Sequence, residues 1–397
     1  MKDVYIERYA EVMSWAQRYT NPNLKKGDVV LLRFDIEALK LAETIHRLLV
    51  KEGFNVIPRM MMSYVMERDF YTYASKEQLT FIAPGEKVFY ENLNSHIYIH
   101  APSSLTHLKE TDPSKQAEFS KARKFLRDIM QKREAKKLFG WTLCTYPTKE
   151  LAKQAALSLE SYTSQIIKAC FLDEKDPVRR WKEVFKNIDE IKKWLNSLKI
   201  DEMRIESDNI DLKIRIGERR KFLGGSAHNI PSFEIFTSPD ARYTEGVYYA
   251  NLKTFRGGNY IEKIRLEFKN GVAVKISSEK GEDYLVKIMN TDEGAKRVGE
   301  ISLTDVRFSR IDKFMADILF DENYGGRYGN CHIAVGSAYI DTYDGNSSRL
   351  TPQHKEELGY NDSAIHWDLI NTERKRVSAK LKNGSSVVIY EDGRFRF

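Results

Sequence analysis

The 397-residue sequence predicts an α/β N-terminal domain, doubly wound around a mostly parallel sheet, and an α+β, largely antiparallel C-terminal domain. Three observations predict this fold class. The length is enough for two hydrophobic cores, strand and helix signals alternate over residues 1–200, and from residue 201 apolar and polar residues alternate between Asn-Gly turns. We therefore place the domains at 1–200 and 201–397.

The elements of the first half follow a strand–helix–strand order after an amphipathic helical start. The apolar run at residues 29–32 predicts a strand, and residues 37–51 have one apolar face, which predicts a helix. Gly53 ends that helix, and residues 54–57 predict the next strand of a βαβ unit. Two more strands are predicted at 96–100 and 138–144.

The second half changes its hydrophobic period after one more amphipathic helix at 175–200. Residues 212–216 alternate apolar and polar side chains, as in a half-buried strand. The pairs Asn270-Gly271 and Asn383-Gly384 separate strand-like runs and predict hairpin turns. Helical interruptions are expected near 282–290 and 312–319.

Composition excludes several classes of protein. A chain with 42% hydrophobic and 12% aromatic residues is not disordered, and it has no run of about 18 uncharged apolar residues that would span a membrane. Cys144, Cys170 and Cys331 are far apart and form no CxxC pair, which argues against a disulfide framework or a thiolate zinc site. We expect a cytoplasmic protein.

The net charge of +7 does not indicate a nucleic-acid partner. Residues 1–200 hold 34 basic and 26 acidic side chains, and residues 201–397 hold 30 and 31. The densest basic stretch, 121–137, is better interpreted as the solvated face of an amphipathic helix, whose apolar side chains would be Phe125, Leu126, Ile129 and Met130. The first half also lacks a GxGxxG or Walker-type motif, so nucleotide binding has little support.

Side chains that bind metal ions recur in the second half. His366 and Asp368 are two residues apart, so on a strand they would project from one face, and imidazole and carboxylate are ordinary ligands for zinc, cobalt or manganese. His332 lies among small apolar residues, and Glu322 precedes a glycine-rich turn. Taken singly, these positions also suit a surface His–Asp pair, a core histidine bonded to a backbone carbonyl, and a solvated turn.

Glu234 and Glu300 both stand between apolar residues, where a buried carboxylate needs a salt bridge or a metal ion. Together, three glutamates, two histidines and one aspartate are the ligand types of a two-metal hydrolytic site. The candidate ligands are Glu234, Glu300, Glu322, His332, His366 and Asp368.

Several segments, in order along the chain, carry a family resemblance. They are NIPSFEIFTSPD, EGVYY, RVGEISL, LFDEN, CHIAVGSAY, NDSAIHWD and YEDGRFRF, preceded by the N-terminal YAEVMSWAQRYTNPNLKKGDVVLLRFD. With them the chain resembles the aminopeptidase T / aminopeptidase S family of metallo-aminopeptidases. The resemblance implies a homodimeric enzyme that removes N-terminal residues from peptides with two divalent cations per subunit, at a site in the C-terminal domain.

The resemblance also implies roles for single residues. It maps metal ligands onto Glu234, Glu300, His332, His366 and Asp368 and adds Glu322, which is expected to be a ligand or a nearby catalytic carboxylate. A water between the ions is the expected nucleophile. Tyr339 is expected to donate a hydrogen bond to the oxyanion that develops on the substrate.

Two other functions remain open from the residues alone. The same ligand chemistry serves other two-metal hydrolases, such as an amidohydrolase or a phosphoesterase. A non-enzymatic binding protein, with the charged N-terminal half as its interaction surface, is the third hypothesis.

Overall fold

The computed structural model describes residues 1–397. The chain forms two compact units, one of residues 1–180 with 226–231 and the other of residues 181–225 with 232–397. The boundary between the two units thus lies near residue 180, whereas the hydrophobic pattern of the sequence changes from helical to strand-like near residue 200. Most of the long helix between these positions belongs to the second unit, where Lys192 donates a hydrogen bond to the Gly224 carbonyl.

The helices are α1 (Asp3–Thr20), α2 (Leu39–Lys51), α3 (Tyr64–Tyr73), α4 (Lys76–Thr80), α5 (Glu86–Asn92), α6 (Pro113–Ala122), α7 (Lys124–Ala135), α8 (Lys149–Gln154), α9 (Leu159–Ala169), α10 (Pro177–Ser197), α11 (Glu282–Met289), α12 (Ile318–Asp321) and α13 (Pro352–Glu357). The strands are β1 (Val29–Phe34), β2 (Asn55–Met60), β3 (Ser95–His100), β4 (Gly140–Thr145), β5 (Ile200–Glu206), β6 (Asp211–Arg215), β7 (Leu223–Gly224), β8 (Asn229–Ile230), β9 (Glu234–Thr237), β10 (Thr244–Ala250), β11 (Thr254–Arg256), β12 (Asn259–Ile261), β13 (Ile264–Lys269), β14 (Val272–Ser277), β15 (Val298–Thr304), β16 (Asn330–Gly336), β17 (His366–Asn371), β18 (Arg376–Leu381), β19 (Ser386–Glu391) and β20 (Arg394–Phe395).

The first unit contains a five-stranded sheet in the order β2-β1-β3-β4-β8, in which every pair is parallel. Helices connect most of its strands, which confirms the predicted α/β class. Helix α7 packs the apolar residues predicted for its buried side against a cluster that contains Leu31 and Phe139. The basic stretch therefore has the amphipathic structure that its sequence predicts.

The second unit contains two larger antiparallel sheets, which confirms its predicted class. One has eight strands in the order β14-β13-β10-β6-β5-β18-β19-β20, and the other has five in the order β17-β16-β15-β9-β7. Tyr248 of β10 donates to the backbone carbonyls of Cys331 and Leu369, which lie on β16 and β17 of the smaller sheet. Every residue of β15 and β16 is buried, so these two strands lie in the core of the second unit.

The turns agree with the prediction, and one helix does not. Asn270-Gly271 connects β13 to β14, Asn383-Gly384 connects β18 to β19, and α11 occupies the predicted helical break near 282–290. The helix expected at 312–319 is wrong, because only α12 forms there. The buried Asp321 carboxylate accepts the backbone N–H groups of Met315 and Asp317, which holds the preceding segment in a non-helical loop.

Two expectations from composition can also be compared with the structure. No helix combines the length and apolarity that crossing a bilayer requires. Cys144, Cys170 and Cys331 are all buried.

A candidate metal centre on the smaller antiparallel sheet

Five of the predicted ligands lie on four neighbouring strands of the smaller antiparallel sheet. Glu300 of β15 is in register with Ala334 of β16, which is in register with Asp368 of β17. His332 is in register with Ser302, two residues from Glu300. Because side chains two residues apart share a face of a strand, this register places the predicted ligands on one face of the sheet. The five are Glu234, Glu300, His332, His366 and Asp368.

The donor atoms converge in two overlapping groups. Glu234, Glu300 and His332 form one, and Glu300, His366 and Asp368 form the other; in each, the nitrogen and oxygen atoms lie within 4.8 Å of one another. Glu300 belongs to both groups and is almost fully buried. The small side chain of Ala334, between Glu300 and Asp368 in the register, leaves room for the carboxylates to approach.

Both imidazoles point their Nε2 atoms at carboxylates. Nε2 of His332 is 3.4 Å from Glu234 Oε2, 3.5 Å from Glu300 Oε1 and 3.9 Å from Asp368 Oδ1. Nε2 of His366 is 3.4 Å from Glu300 Oε2 and 3.4 Å from Asp368 Oδ1. The ring nitrogens are therefore directed to the same space as the carboxylate oxygens.

Hydrogen bonds around this group hold two of the side chains in place. Nδ1 of His366 donates to the backbone carbonyl of Ser337 at 2.8 Å, which leaves Nε2 free to bind a cation. The Ser302 hydroxyl donates to Glu234 Oε2 at 3.3 Å. Sequence reasoning missed Ser302, although it lies two residues from Glu300 in an all-buried strand, and that spacing was a usable signal.

Burial and mutual charge shift the pKa values of these groups strongly. Burial, followed by the charge of Glu300, raises the pKa of Glu234 to about 8. Burial alone lowers the pKa of His332, but a hydrogen bond to Glu300 and the charges of Asp368 and Glu234 raise it to about 9. Burial likewise lowers the pKa of His366, and its bonds to Asp368 and Glu300 raise it to about 11.

The donor set fits a divalent cation. The ion-pair partners of Glu234, Glu300 and Asp368 are the two imidazoles, and no lysine or arginine pairs with these carboxylates. Buried carboxylates without such a partner are costly, and a bound cation removes that cost. Carboxylate oxygen and imidazole nitrogen suit zinc, cobalt and manganese.

Glu322 and Tyr339 border the five donors. Glu322 follows α12 and its carboxylate lies outside both groups, but burial and then the charges of Glu234, Asp368 and Glu300 raise its pKa well above the usual value. The ring centre of Tyr339 is 4.8 Å from that of His366. The Tyr339 side chain is 44% exposed, but burial around its hydroxyl and then the charges of Glu300 and Asp368 raise its pKa above the usual value, so the phenol stays protonated at neutral pH.

Residues 2–395 match the family described as thermophilic metalloprotease (M29). The chain belongs to this family. This M29 chain is 30% identical to Aminopeptidase T of Thermus aquaticus over 268 residues, which cover 64% of the chain and 63% of that protein. It therefore spans less than two thirds of the length of this relative. The identity to Aminopeptidase PepS of Streptococcus thermophilus is 26% over 422 aligned positions, 98% of this chain and 97% of that one.

A solved structure has the same fold as this M29 chain. Wild-type AmpT from Thermus thermophilus superimposes with a TM-score of 0.80 at 24% sequence identity, over 98% of this chain and 99% of that one. This likeness confirms the predicted fold class. The M29 family and the donor set of the buried sheet agree with each other, because both indicate a metal-binding protein.

Proposed function

We propose that this protein is a metal-dependent aminopeptidase that hydrolyses the N-terminal peptide bond of peptides. The observation that carries the proposal is a buried group of three carboxylates and two imidazoles without a lysine or arginine partner, in a chain of a metalloprotease family. Relatives of the chain are named aminopeptidases, which favours a peptide substrate with a free N-terminus.

The proposed site holds two divalent cations, which are zinc, cobalt or manganese. Two overlapping donor groups that share Glu300 support a pair of ions, since a carboxylate can bridge two cations. Such ions polarise the substrate carbonyl and lower the pKa of a bound water. Glu322 is a sixth ligand or, from just outside the two groups, a carboxylate that transfers a proton.

The side chains around the donors have separate proposed roles. Tyr339, whose phenol stays protonated, donates a hydrogen bond to the oxyanion as the carbonyl carbon becomes tetrahedral. The Glu322 carboxylate, if it is not a ligand, takes a proton from the attacking water and gives it to the leaving amine. Its burial beside the donor groups suits a carboxylate that must reach both the water and the leaving amine.

We further propose a cytoplasmic homodimer. The support for the dimer is the family resemblance. The support for the compartment is the set of three buried cysteines that form no disulfide bond with one another, which is typical of proteins in a reducing environment.

Assays with matched substrates test the activity. The purified protein is expected to cleave leucine p-nitroanilide, to lose that activity on chelation, and to regain it when zinc, cobalt or manganese is added. An N-acetylated substrate should resist cleavage. Hydrolysis of p-nitrophenyl phosphate instead of the anilide would favour the phosphoesterase hypothesis, and activity that survives complete metal removal would contradict the proposal.

A further inference from the structure

Arg256 lies beside the strand that carries two of the candidate ligands. Its Nη1–H donates to the backbone carbonyl of His366 at 3.0 Å, and its guanidinium carbon is 5.2 Å from the centre of the Trp367 ring. Strand β17 is the edge strand of its sheet. The guanidinium therefore lies beside this edge strand, at the residue that precedes Trp367 and is two residues from Asp368.

This guanidinium has hydrogen-bond capacity that the protein does not use. Arginine has five N–H donors in a planar fork, and the bond to His366 uses one of them. Arg256 is only partly exposed and forms no ion pair with an acidic side chain. A half-buried cation is costly, and although the Trp367 ring offsets part of that cost, an anion beside the guanidinium would stabilise it further.

Lys253, three residues earlier, is a second cation of this kind. Its Nζ is 4.6 Å from the centre of the Phe314 ring and 5.6 Å from that of Tyr260, and it too forms no ion pair. Segment 253–256 thus has two cations without an ion-pair partner, one beside the His366 strand and one three residues before it.

The backbone around this segment is held in place. Gly257 and Gly258 have φ values of 55° and 79°, as a tight turn between β11 and β12 requires. Trp367 Nε1–H donates to the Thr254 hydroxyl at 3.4 Å and ties β11 to β17. Arg256 is therefore placed by ordered structure, which favours a specific partner for its free donors.

We infer that Arg256, assisted by Lys253, binds a carboxylate of the peptide substrate on the far side of the scissile bond. This inference rests on the proposed aminopeptidase function. Acidic groups in the metal centre and cations at its border complement a short peptide, which has an ammonium at one end and a carboxylate at the other. A guanidinium can bind a carboxylate through two parallel hydrogen bonds. The carboxylate comes from the C-terminus of a dipeptide or from an acidic side chain at the second position.

Pairs of substrates that differ in one carboxylate test the inference. Leu-Gly against Leu-Gly-amide isolates the C-terminal carboxylate, and Leu-Asp-amide against Leu-Asn-amide isolates the side chain. We expect the metal-loaded wild type to favour the acid of at least one pair in kcat/KM, by about 10- to 100-fold. The Arg256→Gln variant should bring that ratio close to one, with metal content unchanged, and Lys253→Gln should reduce it less.

Control variants separate recognition from a structural effect. Arg265, an exposed arginine of β13 without an ion-pair partner, gives the matched variant Arg265→Gln, which should keep the wild-type ratio. Arg256→Lys keeps the positive charge but loses the planar guanidinium, so an intermediate acid-to-amide ratio of kcat/KM is expected. This variant also tests the inference if Arg256→Gln does not fold.

Each of the other results has a definite meaning. An equal loss for acid and amide in Arg256→Gln, or a wild type without preference in either pair, overturns the inference while the aminopeptidase function stands. If the wild type cleaves neither the four peptides nor leucine p-nitroanilide, the proposed function fails and the inference fails with it, whereas cleavage of the anilide alone overturns only the inference.

Discussion

Glu300 is the residue on which the candidate centre depends most, because it belongs to both donor groups and contacts both imidazoles. We expect Glu300→Gln to lower metal content and to reduce kcat/KM by at least about 100-fold, since even residues that only support a ligand cost 10- to 100-fold. Elemental analysis and the anilide assay measure both effects. Glu267→Gln, at an exposed position of β13, is the control, and metal binding retained in Glu300→Gln would disprove the shared-ligand role.

A substitution of Ser302 tests a hydrogen bond that orients a candidate ligand and leaves the ligand itself in place. Its hydroxyl donates to Glu234 Oε2, so Ser302→Ala removes the bond that orients that carboxylate. The expected result is a metal affinity lowered by about 10- to 100-fold, with the fold intact. Titration of metal-free protein measures the affinity. An unchanged affinity together with an unchanged melting temperature would show that this hydrogen bond has no part in binding.

At the scale of elements, two hairpin turns of the second unit provide a matched comparison. Gly271 has φ 74°, and a Cβ there would lie 2.1 Å from the Ala241 carbonyl oxygen, whereas Gly384 has φ 87° and open space around it. Gly271→Ala should lower the free energy of unfolding by about 2 to 3 kcal/mol, and Gly384→Ala by about 1 kcal/mol. Denaturant unfolding measures both, and equal losses would show that the clash is relieved without cost.

His96 of β3 is expected to make the first unit sensitive to acid. Burial and the charges of Arg33 and Arg59 lower its folded pKa from the ordinary value of 6.5 to about 3, and its Nε2 has no hydrogen-bond partner. The unfolded chain therefore binds a proton between these two values that the folded chain does not. Stability is full above pH 6.5 and is lost as the pH falls toward 3, by about 1.4 kcal/mol per pH unit.

The variant His96→Phe provides the measurement for this pH effect. It should flatten the decline of the melting temperature between pH 6 and pH 4, followed by circular dichroism, because it removes the group that gains a proton on unfolding. His46, a part-exposed histidine of α2, is the control position, with the variant His46→Phe. The same acid slope in wild type and His96→Phe would assign the sensitivity to other groups.

At the scale of the whole molecule, local patterns predict most of the fold. Apolar runs, helical periodicity and Asn-Gly pairs depend on neighbouring residues, so the strands of the first unit and the hairpins of the second could be placed from sequence. The prediction of a helix at 312–319 was wrong because the carboxylate of Asp321, which lies outside that segment, accepts hydrogen bonds from two of its backbone N–H groups. The boundary between the units near residue 180 depends on which unit α10 packs with. A change in the hydrophobic period of the sequence carries no information on that packing.

The sequence by itself determined the two fold classes, the residue types of the candidate centre and the chain's membership of a metalloprotease family. These properties depend on composition, on the period of the hydrophobic residues and on ordered motifs. Only the tertiary structure decided that Glu300 lies between both histidines, that Glu322 lies just outside the donor groups, and that Arg256 lies beside His366. The physical reason is strand register. It brings residues far apart in the chain to within a few ångströms, and it arises from packing across the whole sheet.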